Sequence, residues 1–187
     1  MLHSTYYRTT KQSLFAALRV PEPERMPAAM LCRVLYAPSF HPEAMVEVEK
    51  TDHDCLRLTF TTMQTNWHYW QQGGLSPHWT PRDAESLTIP SWKRVVETVQ
   101  PAATALFLSQ LLETIPPVVP SNSIMIDGMP TLLWFRAASG ETEYREFNGD
   151  GENPFAAEVT KSVLDLARET LTDIISQNLL ADIDRYM

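Results

Sequence analysis

The order of elements in this sequence predicts an α+β fold: an antiparallel sheet of about five or six strands with two main helices packed on one face. Three observations lead there. Short segments with period-two alternation cluster in 31–62 and again in 123–147. A long stretch with helical spacing follows each group of strands. No strand-helix-strand alternation of the parallel type occurs, so meandering strands with helices segregated to one side are the economical architecture.

The first cluster reads as three strands. LCRVLYA is apolar and aromatic. AMVEVEK sets Val46 and Val48 against Glu47 and Glu49. LRLTFTT sets Leu56, Leu58 and Phe60 against Arg57, Thr59 and Thr61. Such alternation implies one buried and one wet face, and the short connections APSFHPE and TDHD favour a meander. After the aromatic segment 64–84, β-branched residues mark an extended stretch around Lys93–Val99. Pro101 then opens PAATALFLSQLLETI, where Ala105, Leu108, Leu112 and Ile115 share a stripe, and Pro116 and Pro117 end it. The third block has short strands, LLWFRA and TEYREF, around turns at Asp127-Gly128 and Ser139-Gly140. Asn153 and Pro154 are start signals for an amphipathic helix carrying Val159, Val163, Leu166, Ala167, Leu171 and Ile174, with a break expected near Ser176–Asn178 before a final turn, LLADIDRY.

At 187 residues, with 44% apolar and 20% charged composition, the chain is the size of a single globular domain spanning 1–187, with 1–28 as an N-terminal helix or extended arm. No apolar run approaches the ~20 residues that span a bilayer, so no membrane association is expected. Cys32 and Cys55 have no framework spacing, which points to a reduced, cytoplasmic protein whose thiols act as small core hydrophobes.

The net charge of −8 is unevenly placed. From Glu141 to Met187 there are eleven acids against Arg145, Lys161, Arg168 and Arg185, which is −7 and leaves −1 for the other 140 residues. Nucleic-acid binding needs a basic footprint, so no nucleic-acid partner is expected. A basic protein partner suits a one-signed surface.

Several constellations compete for a functional role. His68 and His78, with His53 nearby, offer imidazole ligands, but His-x9-His matches no zinc spacing and no cysteine pair accompanies it; no metal and no cofactor are expected, and a small metal-dependent or hydrolytic enzyme using His68 and His78 is the alternative. Cys55 lies two residues from His53, yet no nucleophile motif frames it, so no catalytic residue is assigned. Glu47 and Glu49 on one strand, and Glu141, Glu143 and Glu146 crowding another, read as solvated surface acids. Asn148, Asp150 and Glu152 begin like a calcium loop, but Asn153 and Val159 stand where glycine and glutamate are needed. In QTNWHYWQQGGLSPHWT, the residues Trp67, Tyr69, Trp70 and Trp79 are candidate partner anchors, since Trp and Tyr dominate binding hot spots. A lid over one end of the sheet explains the same residues, and both readings stay open.

The run IDGMPTLLWFRAASGETEYREF through FAAEVTKSVLDLARETL, about residues 124–171, resembles uncharacterised small bacterial α+β proteins of the toxin-immunity type. The shared features are a DG turn at Asp127 and Gly128, two short strands, a proline-opened loop and a closing amphipathic helix. The resemblance implies a cytosolic, acidic protein that blocks a toxin by binding it and brings no catalytic residues. The expected function is therefore a non-enzymatic binding protein, an immunity-like inhibitor or adaptor. Its candidate contacts are Trp67, Tyr69, Trp70, Trp79, Glu143 and Glu146, and a homodimer built through the aromatic face is a further alternative.

Overall fold

The computed structural model describes residues 18, 26–38, 42–51, 55–63, 92–99, 102–113, 115, 129–148 and 154–187. Six strands form one antiparallel sheet: β1 Met30–Tyr36, β2 Ala44–Lys50, β3 Leu56–Met63, β4 Trp92–Val99, β5 Pro130–Arg136 and β6 Thr142–Asn148. Three helices accompany it: α1 Ala102–Glu113, α2 Pro154–Thr170 and α3 Ile174–Asp184. The fold is α+β, with the six-stranded sheet and the helices on one face, as the alternation patterns predict.

The strand order is β4-β3-β2-β1-β5-β6. The first four strands meander, each pairing with its predecessor. β5 then returns to the far side of β1, with Cys32 opposite Phe135 and Tyr36 opposite Thr131. The β5–β6 hairpin turns through Ala137–Glu141, closed by Ala137 N–H to Glu141 O (2.9 Å) and Gly140 N–H to Ala137 O (2.9 Å). Gly140 has φ +85°, a backbone region that glycine enters without steric cost, so the expected Ser139-Gly140 turn is in place. Arg136 ties this hairpin to the entry of β1, donating to the carbonyls of Gly140 (2.7 Å), Pro27 (2.8 Å) and Met26 (3.1 Å).

Register determines the two faces. Cys32, Val34 and Tyr36 of β1 share the helix side with Val46 and Val48, Leu58 and Phe60, Leu133 and Phe135, and Phe147. Against them lie Leu108 and Leu112 of α1, Val159, Val163, Leu164 and Ala167 of α2, and Leu179, Leu180 and Ile183 of α3. The expected stripes therefore face the sheet through Leu108, Leu112 and Ile115 and through Val159, Val163, Leu166, Ala167 and Leu171, whereas Ile174, expected to close the second stripe, opens α3 instead and is 70% exposed. Tyr36 is fully buried there, and its hydroxyl donates to the carbonyl of Thr160 at 2.7 Å, joining β1 to α2. Burial holds that phenol well above its ordinary pKa, so it stays a neutral donor.

The opposite face is not wet at its centre, contrary to the alternation argument. A second buried cluster of Leu18, Met26, Met30, Leu35, Met45, Met63, Leu132 and Trp134 occupies it, and Thr59 and Thr61 are buried as well. The helix boundary also differs from expectation. α2 ends at Thr170 and α3 begins at Ile174, so the break lies at 171–173 rather than at Ser176–Asn178. The reason is local: the Asp173 carboxylate accepts from Ser176 N–H at 3.0 Å and caps α3.

Candidate interaction surfaces

The aromatic candidates Trp67, Tyr69, Trp70 and Trp79, together with His53, His68 and His78 and the Asp127-Gly128 turn, lie outside the described residues. The acidic candidates are described, and both sit on β6, an edge of the sheet. Expected with Glu141 to crowd a single strand face, Glu143 and Glu146 are in fact divided between the two faces. Glu143 lies opposite Phe135, on the helix side, while Glu146 lies opposite Leu132, on the other side. Two residues three apart on a strand must point opposite ways.

Each acid is held by a neighbour two positions away. Glu143 takes a 2.7 Å hydrogen bond from Arg145 Nη2, which also donates to Ile115 O at 3.2 Å. The same guanidinium lies 5.3 Å from the centroid of the Phe135 ring, a cation–π distance. Glu146 accepts from the Tyr144 hydroxyl at 2.8 Å, and the Tyr144 ring stacks on Trp134 at 5.1 Å between centroids, tilted by 37°. The edge strand thus presents positioned acids on both sides of the sheet, one steered by a cation and one by a phenol.

In the centre of the face opposite the described helices lies a charged pair that the sequence does not announce. Arg33 is 0% exposed, and its Nε and Nη2 donate to the same oxygen, Glu47 Oε1, at 2.9 and 2.7 Å. Glu47 is therefore a buried carboxylate and not the solvated acid expected of it. Arg33 Nη1 is buried with no hydrogen-bond partner among the described residues. Glu49, one pleat along, receives two donors from the exposed Arg57 and matches the surface expectation better. The apolar, aromatic character of LCRVLYA singles out no partner for Arg33. Only the cross-strand register with Glu47 reveals the pair.

A second polar network joins α2 to α3. Lys161 Nζ reaches Asp165 at 2.6 Å and Asp184 at 2.9 Å, and Arg168 reaches Asp184 at 2.7 Å. The hydrogen bond that Lys161 donates to Asp165 is the largest influence raising the Lys161 pKa above its ordinary 10.5, and the one it donates to Asp184 is the largest lowering Asp184 below 3.8. The raised Lys161 contributes stability that is complete below 10.5 and is lost as pH climbs through its folded value. The lowered Asp184 contributes stability present above 3.8 and lost as pH falls through its folded value. The network is thus whole between those limits. Being solvent-accessible, each pair is worth about 0.5 kcal/mol. Asp184→Asn is expected to lower stability by about 1 kcal/mol at neutral pH in low salt, as measured by urea unfolding, and to have no effect once the pH falls below the folded pKa of Asp184. An equal cost at both pH values would show that packing, and not charge, is what the substitution removes.

For chemistry, the described residues offer little. Burial pushes the Cys32 thiol up to about 12, so it is protonated at neutral pH and acts as core. Among the described residues no group of three or more His, Cys, Asp or Glu side chains is arranged to hold a metal ion. No helix among them is long and apolar enough to cross a membrane. No family model, curated protein or solved structure matches this chain.

Proposed function

We propose that this chain is an acidic, non-enzymatic binding protein that acts on a basic protein partner, in the manner of an immunity-like inhibitor or adaptor. The observation that carries this reading is the charge distribution, with −7 of the net −8 concentrated in residues 141–187. Those residues include the edge strand β6 and the helices α2 and α3. Glu143 and Glu146, already oriented by Arg145 and Tyr144, can meet cationic groups with little further loss of side-chain entropy. Inhibition would follow from occlusion of the partner's surface, with opposite charge accelerating encounter.

The experiment is titration of the purified chain against the protein encoded by the adjacent gene. Affinity should fall steeply between about 0.1 M and about 1 M salt, as the screening length shrinks from ~10 Å to ~3 Å. The double reversal Glu143→Lys, Glu146→Lys should weaken binding more than Trp70→Ala if the acidic edge dominates. An affinity indifferent to salt and to both reversals would sink the charge reading.

A further inference from the structure

The first turn of α3 is inverted in polarity. Ile174 is 70% exposed and Ile175 62%, the highest values among the described large hydrophobic side chains, while Ser176 beside them is fully buried, its hydroxyl without a partner among the described residues. Ile175 lies one turn before Leu179 and two before Ile183, both on the buried side of α3. The apolar stripe of the helix therefore runs on past the part of the molecule that covers it.

Hydrogen bonds hold the turn in this attitude. Asp173 caps Ser176 N–H at 3.0 Å, and its carbonyl accepts from Gln177 N–H at 3.0 Å. The Gln177 side-chain amide reaches back to α2, donating to the carbonyl of Arg168 at 2.7 Å and to that of Leu171. These four bonds tie the phase of α3 to the end of α2. Rotating the isoleucines inward would break them. The apolar pair is thus held outward by the same contacts that stabilise the corner.

All three cations of 154–187 are engaged by acids: Lys161 by Asp165 and Asp184, Arg168 by Asp184, and Arg185 by Asp182 at 3.1 Å. Glu169, exposed in the last turn of α2, has no such counter-ion among the described residues. The corner combines an apolar pair fixed in attitude with an exposed carboxylate, Glu169, that lies in sequence between Arg168 and Leu171, the two residues to which Gln177 is bonded. We propose that it is the docking surface for a protein partner presenting an apolar pocket edged with Lys or Arg, an inference that rests on the acidic-binder reading above. Preorganisation matters because a side chain already fixed loses little entropy on binding.

The test uses the full chain and a phage-displayed library of random peptides, selected on the wild type. The expected result is peptides that combine Leu, Phe or Trp with Lys or Arg. They should bind Ile174→Ser, Ile175→Ser at least about tenfold more weakly, a difference that a central apolar anchor supplies. Glu169→Lys should weaken them severalfold, and less so at high salt. Both variants change exposed positions, so their unfolding midpoints should match the wild type. The inference is overturned if no peptide is selected or if those selected bind the isoleucine variant within about twofold of the wild type. It is also overturned if a concentration-dependent dimer, abolished by the same substitutions, occupies the corner instead. Basic, salt-sensitive peptides indifferent to the isoleucines would overturn the corner while leaving the acidic-binder reading standing.

Discussion

Arg33→Met is expected to lower folding stability by about 3–5 kcal/mol, because it strands the Glu47 carboxylate in the centre of the face opposite the described helices without its guanidinium partner. Glu47→Leu should cost a similar amount for the converse reason. The double variant Arg33→Met, Glu47→Leu should recover most of the loss. An ion pair taken out of water barely repays its desolvation, and Arg33 Nη1 adds a buried donor that goes unmet among the described residues, itself costing about 1–3 kcal/mol. Urea unfolding of the four proteins closes the cycle. If each single change stays within about 1 kcal/mol of the wild type, the pair is not desolvated in the way its burial implies. The comparison separates two roles: an irreplaceable pair would point to specificity of strand pairing, and a replaceable one to tolerated polarity.

Phe60→Ala should cost about 3–5 kcal/mol, through lost transfer free energy and the cavity left behind. Phe60 is fully buried on the helix side of β3, between Val46 of β2 and Val95 of β4, in the cluster shared with the helices. Domains are stable by only about 5–15 kcal/mol in total, so this change removes a large share. For a chain of this length the unfolding midpoint should drop by about 6–20 °C. Val96→Ala provides the contrast. Val96 lies on the neighbouring edge strand β4, opposite Thr59 on the other face, and is half exposed, so its truncation should stay within about 0.5 kcal/mol. Equal losses at the two positions would contradict the placement of the core.

The strands were legible because alternation is a local signal. Val46, Val48, Leu56, Leu58 and Phe60 announce their face within a few residues of themselves. The helix stripes were legible for the same reason, through Leu108 and Leu112 in α1 and Val159 and Val163 in α2. What escaped depends on partners distant in the chain. Nothing in LCRVLYA or AMVEVEK says that Arg33 will sit across from Glu47 under an apolar cover that includes Leu18 and Met26. The return of β5 to the free side of β1 has no sequence mark either. Two misreadings did have local signals. Asp173 is an N-cap residue type three positions before a backbone donor it captures, which places the helix break ahead of Ser176. The odd spacing of Glu143 and Glu146 assigns them to opposite faces without any coordinates. The aromatic half of the candidate site, from Trp67 to Trp79, falls outside the described residues, so the choice between lid and contact patch rests on the Trp70→Ala comparison above.

The placement of β5 beside β1 has a consequence for synthesis. Tyr36 finishes β1 early, but the strand that covers its open side is complete only at Arg136, about 100 residues later. At ~5–20 residues per second, β1 waits about 5–20 s on the ribosome with one row of backbone donors and acceptors unpaired. During that interval β1 is an outer strand, and a fully apolar one on its helix-facing side, the kind of edge that recruits other chains. The nascent protein therefore passes through a stage more prone to association than either its first strands alone or its finished sheet, and slower translation lengthens that stage.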